Sequence, residues 1–122
     1  MRVLVVDDHP AFRQTLTCAL EMVGEIEVAG EAEGGVAACW EAAHVEPDVV
    51  LMDLSMPDLS GFDAMERMHE HQPRLPVVIL TADADPEVES EARRAGASGF
   101  LAKGTRLDDI VIVLYEAAEQ PA

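Results

Sequence analysis

The chain of 122 residues has the size of one domain, and its 49% hydrophobic and 26% charged residues are typical of a globular protein. Its charge is unusual, because 24 acidic residues outnumber 8 basic ones and give a formal net charge of −16. Such a field repels phosphate backbones and acidic lipid, so the composition argues against nucleic acid or a membrane surface as partner and favours cations. Lys103 is the only lysine.

Two cysteines, Cys18 and Cys39, are too few for a disulfide scaffold and lack metal-site spacing, so we expect a reducing compartment. The first apolar run ends at Asp7, too early for a secretory signal, and no apolar stretch is long enough for a membrane span. We therefore predict a cytoplasmic protein without membrane contact, in which both cysteines and Trp40 are packing residues.

Five short apolar runs typical of buried strands alternate with five segments that have helical spacing of apolar residues. The predicted strands are 3–6, 26–30, 49–52, 77–80 and 99–102. The apolar positions of the predicted helices fall within 12–23, 36–43, 62–68, 88–95 and 107–118. Since each crossover lays a helix over the sheet, this alternation predicts a parallel sheet covered on both faces.

Polar residues stand where four of the predicted strands end. Asp7 and Asp8 follow the first strand, Asp53 the third, Thr81 the fourth and Lys103 the fifth. Ligands of such sheets bind beyond the carboxyl ends of the strands, which share one edge. We expect these five side chains to converge there.

The chemistry of this set points to phosphoryl transfer. Three carboxylates at one edge stay ionised when a cation bridges them, and an all-oxygen site with room for water suits Mg²⁺. Asp53 could then attack a phosphoryl group whose oxygens are shared by the metal, the ammonium of Lys103 and the hydroxyl of Thr81. The predicted product is an aspartyl phosphate.

Four motifs, in this order and spacing, also carry a resemblance to a known family. They are VLVVDDHP at 3–10, VVLMDLSMPDLSG at 49–61, VVILTA at 77–82 and GASGFLAK at 96–103. Over almost its whole length, the chain resembles the receiver domain of two-component response regulators. The Asp8-His9-Pro10 turn and Lys103-Gly104 most resemble the subfamily with a LuxR-type helix-turn-helix output domain. The resemblance implies a flavodoxin-like, doubly wound α/β fold, with a five-stranded parallel sheet of order 2-1-3-4-5 flanked by five helices.

The resemblance implies that Asp53 is the phosphoacceptor, charged by the phosphohistidine of a sensor histidine kinase, with Mg²⁺ as cofactor and Mn²⁺ able to substitute. The implied metal ligands are Asp8 directly, Asp7 largely through water, the Asp53 carboxylate and the Ser55 backbone carbonyl. Ser55 and Asp83 occupy positions that tune the lifetime of the phosphate in this family.

The resemblance also assigns roles at the ends of the last two strands. Thr81 and Lys103 would bind phosphoryl oxygens, and Phe100 would be the switch aromatic that turns inward when Thr81 moves. A plain core role is the alternative for Phe100. Gly104 stands where many receivers have a cis proline, so we expect a trans peptide after Lys103.

By this resemblance the protein is a signalling phosphoacceptor and not an enzyme. Phosphorylation would favour a homodimer formed through helix 4, strand 5 and helix 5. The domain would not contact nucleic acid directly, and it would act in transcription regulation. We expect residues 1–119 to form the receiver domain and residues 120–122 to be a tail or the start of a linker, with no output domain in this chain.

Other functions are weighed against this one. A degenerate receiver that docks proteins without phosphorylation is the main alternative. A flavin mononucleotide carrier is disfavoured because Asp7 and Asp8 would repel its phosphate, and a haloacid-dehalogenase-type phosphatase would need an aspartate at Ser55. None of the four histidines has metal-ligand spacing with a second donor, and His9, beside Asp8, is predicted to have a loop or helix-cap role.

Overall fold

The computed structural model describes residues 1–119; the predicted tail at 120–122 lies outside them. Strands and helices alternate in the order β1 (Arg2–Val6), α1 (Pro10–Glu21), β2 (Glu27–Ala32), α2 (Gly35–Val45), β3 (Val49–Met52), α3 (Gly61–His71), β4 (Val77–Thr81), α4 (Pro86–Arg94), β5 (Gly99–Ala102) and α5 (Leu107–Glu119). All five strands pair in parallel in one sheet of order β2-β1-β3-β4-β5, which confirms the predicted fold. Within residues 1–119, no helix combines the length and the apolar character needed to cross a membrane.

An apolar layer covers each face of the sheet, because successive side chains of a strand point to opposite sides. In β3, Val49 and Leu51 pack in the layer with α1 and α5, whereas Val50 and Met52 pack in the layer with α2, α3 and α4. Strands β1, β3 and β4 are therefore almost continuously apolar, as strands buried on both faces must be. Their polar residues are confined to the strand ends.

The edge strand β2 is the element whose bounds differ most from the sequence prediction. It runs over Glu27–Ala32, whereas the apolar pattern places it at 26–30. Most of its residues are exposed or half-buried, so hydrophobicity is a weak guide to where it ends. Backbone pairing with β1 decides its end, and Asp7 still donates its amide to the Ala32 carbonyl at 3.0 Å.

Two residues predicted to be packed are exposed, so that prediction is wrong for them. Cys18 lies on α1 between the buried Leu16 and Leu20, and Trp40 lies on α2 between buried alanines. A shift of two residues turns a helical side chain by about 200°, which places both on the outer faces of their helices. Trp40 is 59% exposed and stacks on the His44 ring with centroids 3.8 Å apart.

Candidate functional site

Four of the polar side chains at the strand ends, those of Asp7, Asp8, Asp53 and Lys103, converge at the carboxyl edge of the sheet, and Thr81 lies at the end of β4 at the same edge. Among residues 1–119, the buried polar or charged residues are Asp7, Asp53 and Thr81. Each acidic residue extends the backbone ladder by one position, since Asp7 donates its amide to Ala32 and Asp53 donates its amide to Val6, both at 3.0 Å. The strands therefore fix these two carboxylates from the main chain.

Lys103 joins the carboxylates of two strands. Its Nζ lies 2.8 Å from Oδ2 of Asp7 and 2.9 Å from Oδ2 of Asp53, and 4.7 Å from the centroid of the Phe12 ring. Its backbone amide donates to the Thr81 carbonyl at 2.9 Å. Burial lowers the pKa of the Lys103 ammonium, but its hydrogen bonds and charge interactions with Asp7 and Asp53 outweigh burial and raise that pKa above its ordinary value. The lysine is held as a cation.

A cluster of possible metal ligands lies beside this lysine. Asp7, Asp8, His9 and Asp53 each place one ligand atom so that all four atoms lie within 4.8 Å of one another. Oδ1 of Asp8 is buried and has no hydrogen-bond partner, a costly state for a carboxylate that a bound cation would relieve. The donor set fits a hard divalent cation.

The His9 ring belongs to this cluster, which the spacing of the histidines did not predict, and the residue also takes the predicted helix-cap position. His9 occupies the N-cap position of α1, but its side chain makes no capping hydrogen bond. Its amide donates to Oδ1 of Asp7 at 2.8 Å, and its Nδ1 lies 3.0 Å from the same oxygen. The sequence feature that could have indicated this position of the ring is a run of three consecutive residues with metal-ligand atoms at the end of a strand.

Two residues flank the acceptor position through backbone contacts. The Ser55 amide donates to Oδ1 of Asp53 at 3.3 Å, and the Asp83 amide donates to the Thr81 hydroxyl oxygen at 3.2 Å. The side chains of Ser55 and Asp83 are exposed. Their roles in phosphate lifetime, and that of the Ser55 carbonyl as a metal ligand, stay predictions.

The β5 strand carries the predicted switch residue. Phe100 is half-buried opposite Ile79 of β4 and packs against the apolar layer under α2, α3 and α4. The peptide between Lys103 and Gly104 is trans, as predicted. The switch role of Phe100 stays a prediction.

Arg13 supports the acidic turn, although sequence reasoning missed it. Its guanidinium donates to the Asp7 carbonyl at 2.7 Å and pairs with Glu31 of β2 at 3.2 Å. The side chain thereby fixes the turn after β1 from the side of α1. An arginine on a helix has no sequence feature that distinguishes this role from ordinary surface exposure.

Asp58 links the loop after β3 to the start of α2, which lacks a capping side chain of its own. Its carboxylate accepts the amides of Gly35 at 3.0 Å and Val36 at 3.2 Å, and that of its neighbour Leu59 at 2.8 Å. The Gly35 bond is the main cause, with the Val36 bond next, of a pKa of Asp58 below its usual value. The absence of a polar cap before Gly35 was a signal that another loop supplies one.

The sheet order and the carboxylate cluster define a class of protein: a doubly wound α/β domain whose switch-point site is acidic and suits a cation more than a nucleotide. The chain belongs to the response regulator receiver domain family, whose family model matches residues 3–115. Receiver domains are the signalling modules of two-component systems. The resemblance read from the four motifs is therefore confirmed.

Individual relatives agree with this assignment. The chain is 35% identical to the response regulator GacA of Pseudomonas aeruginosa over 111 residues, which is 91% of the chain and 52% of GacA. It thus spans about half the length of this relative. The NarL signal receiver domain of Mycobacterium tuberculosis superimposes with a TM-score of 0.91 at 34% identity, covering 97% of this chain and 95% of that one. A LuxR-family response regulator from Aurantimonas gives 0.91 at 27% identity, with 99% and 87% covered.

Proposed function

We propose that this receiver domain accepts a phosphoryl group on Asp53 from the phosphohistidine of a sensor histidine kinase, in a Mg²⁺-dependent reaction. The conformational change that follows would control an output domain or partner in transcription regulation. The observation that carries this proposal is the position of Asp53, which shares Lys103 with Asp7 and lies beside Oδ1 of Asp8, a buried oxygen without a hydrogen-bond partner. A carboxylate so placed has the ammonium of Lys103 ready for an incoming phosphoryl group.

Mg²⁺, when bound, supplies positive charge that stabilises the phosphoryl oxygens during transfer. Asp8, Asp7 and Asp53 would hold it, and both oxygens of Asp7 already have protein contacts, which supports a water-mediated role for Asp7. Mn²⁺ meets the same donor requirements.

In the transfer step, a carboxylate oxygen of Asp53 forms a bond to phosphorus while the bond from phosphorus to the kinase imidazole nitrogen breaks. The electron pair of the broken bond stays on that nitrogen. Lys103, already 2.9 Å from Asp53, donates to one phosphoryl oxygen, and the Thr81 hydroxyl donates to another. The protein is thus a phosphoacceptor that assists its own transfer and later hydrolysis, and turns over no other substrate.

The switch uses the two strands that end at the site. Thr81 moves toward the phosphoryl group, Phe100 turns inward from its half-buried position, and the surface of α4, β5 and α5 pairs with a second copy. Ser55 and Asp83 flank the phosphoryl group and tune its lifetime. The net charge of −16 opposes direct contact with nucleic acid.

Acetyl phosphate and Mg²⁺ provide the test, with intact mass as the measurement. We expect the wild type to gain one phosphoryl group and Asp53→Asn to gain none, while the control Asp108→Asn, whose side chain is exposed and pairs with Arg106, still gains one. Uptake by Asp53→Asn equal to that of the wild type would contradict the assignment. A wild type that gains nothing would favour the phosphorylation-independent docking module.

A further inference from the structure

The His9 ring lies among the atoms that would bind the cation. Its Nδ1 is 3.0 Å from Oδ1 of Asp7, 3.2 Å from Oδ1 of Asp8 and 3.5 Å from Nζ of Lys103. The contact with Asp8 lacks hydrogen-bond geometry, since that oxygen is left without a partner. Hydrogen bonding therefore explains the approach of the ring to Asp7 but not its approach to Asp8.

The distance from Nδ1 of His9 to Oδ1 of Asp8 matches that between neighbouring ligands of one metal ion. Oxygen and imidazole ligands lie about 2.1 Å from small divalent cations, so adjacent positions of an octahedron are separated by about 3.0 Å. Nδ1 of His9 and Oδ1 of Asp8, 3.2 Å apart, have this spacing. These two atoms can occupy adjacent positions of the coordination sphere, with Asp7 held beyond a bound water.

We infer that His9 is a nitrogen ligand of the cation bound by Asp7, Asp8 and Asp53, and that it gives the site a preference for first-row transition-metal ions over Mg²⁺. Mg²⁺ prefers oxygen ligands, whereas imidazole suits ions such as Ni²⁺ and Zn²⁺. This inference rests on the metal site of the proposed function, to which it adds a ligand and a selectivity.

The opposing interpretation makes Nδ1 a hydrogen-bond donor to Oδ1 of Asp7. In that case the ring competes for that oxygen with the water through which Asp7 would hold the cation, and its removal leaves the affinities for Mg²⁺ and Ni²⁺ unchanged or raises both. If His9 is a ligand, its removal weakens Ni²⁺ binding selectively. The two interpretations therefore predict different ratios of the two affinities.

Calorimetric titration of the whole chain with Mg²⁺ and with Ni²⁺ separates them. We expect His9→Ala to weaken Ni²⁺ binding about tenfold or more, since even residues that only orient a metal ligand contribute 10–100-fold. Its Mg²⁺ affinity should change less than about threefold, because water readily takes the open position. Excess Mg²⁺ should displace Ni²⁺ from the wild type. The exposed His71 supplies the control, and His71→Ala should bind both ions as the wild type does.

A second measurement is independent of affinity. With Mn²⁺ bound, pulsed electron paramagnetic resonance should detect coupling to an imidazole nitrogen in the wild type and lose it in His9→Ala. Because His9 is 64% exposed, this substitution leaves the core intact. The inference would be overturned if His9→Ala lost or kept its affinities for Mg²⁺ and Ni²⁺ to the same extent. It would also be overturned if Mg²⁺ did not displace Ni²⁺ from the wild type. Either result would leave a Mg²⁺ site in place. A wild type that binds no Mg²⁺ would instead refute the proposed metal site itself.

Discussion

Single residues at the carboxyl edge depend on one another, and Lys103 shows this most directly. The side chains of Asp7 and Asp53 are 4% exposed and that of Lys103 is 16% exposed. Removal of one partner from a buried ion pair leaves an uncompensated charge and costs about 3–5 kcal/mol. We predict that Lys103→Met lowers the free energy of unfolding by about 3 kcal/mol in metal-free buffer, measured by urea denaturation.

The loss of stability in Lys103→Met should depend on bound metal, because it arises from carboxylates that have lost their positive partner. Bound Mg²⁺ should reduce the deficit of Lys103→Met, because it supplies positive charge to the same carboxylates. The matched control Arg106→Met removes a cation whose contact with Asp108 is exposed, and it should change stability by less than about 0.5 kcal/mol. Equal effects of the two substitutions would contradict a structural role for the Lys103 ion pairs.

The raised pKa of Lys103 fixes the pH dependence of its contribution. Because the pKa is higher in the folded than in the unfolded chain, the stabilisation is fully present below the ordinary lysine pKa of about 10.4. It is lost as the pH rises through the folded-state pKa. The stability difference between the wild type and Lys103→Met should therefore shrink as the pH rises through the alkaline range.

The convergence of Asp7, Asp53, Thr81 and Lys103 could be predicted from the sequence, because buried apolar runs locate the strand ends and parallel strands share an edge. The contacts of His9, Arg13 and Asp58 could not. They depend on the path of loop backbones and on side-chain direction, which no periodic pattern specifies. The site was therefore predictable where strands build it and not where loops complete it.

At the scale of elements, the packing of α3 against the end of β3 constrains the acceptor loop. Gly61 begins α3 and donates its amide to the Leu54 carbonyl at 2.9 Å. A Cβ at this position would lie 2.6 Å from the carbonyl oxygen of Asp53 and 2.8 Å from Cα of Leu54. Both are backbone atoms, so the helix and the loop would have to separate.

We predict that Gly61→Ala lowers the free energy of unfolding by about 1–3 kcal/mol, the range for an overpacked contact, and slows phosphoryl uptake at Asp53. Chemical denaturation and the rate of mass gain with acetyl phosphate measure the two effects. Gly24→Ala is the matched control, since a Cβ there meets nothing within 4 Å. It should be neutral or stabilising by up to about 1 kcal/mol. A neutral Gly61→Ala would mean that α3 and the loop shift freely.

The predictability of the strands follows the continuity of their apolar residues. Strands β3 and β5 have the predicted bounds, and β4 is longer by the single residue Thr81. The edge strand β2 is displaced from its predicted position. Its two ends are set by hydrogen bonds to β1, and the register of that pairing shifts between Val3 and Leu4. Hydrophobic patterns report continuous apolar runs, and β5 has one although it too lies at an edge, whereas glutamates interrupt β2 and backbone pairing sets its ends.

At the scale of the whole molecule, the charge of −16 has two separable consequences. Three of the 24 acidic residues, Asp7, Asp8 and Asp53, lie at the candidate site, and the others contribute a diffuse field that destabilises the compact state by self-repulsion. Any salt screens the diffuse field, and monovalent ions do so without a specific site. Only a bound divalent cation acts through the three clustered carboxylates.

Thermal unfolding with Mg²⁺ added at constant ionic strength distinguishes the two. Free Mg²⁺ at about 100 times its dissociation constant should stabilise the wild type by about 2.7 kcal/mol, since it binds the folded cluster and not the unfolded chain. Asp8→Asn should lose most of this increment, because Asp8 supplies the one carboxylate oxygen in the described chain that is buried without a hydrogen-bond partner. Sodium chloride should raise the melting temperature of both proteins by similar amounts, because their overall charge differs by only one unit. An equal Mg²⁺ increment in the two proteins would assign the effect to screening and remove Asp8 from the metal site.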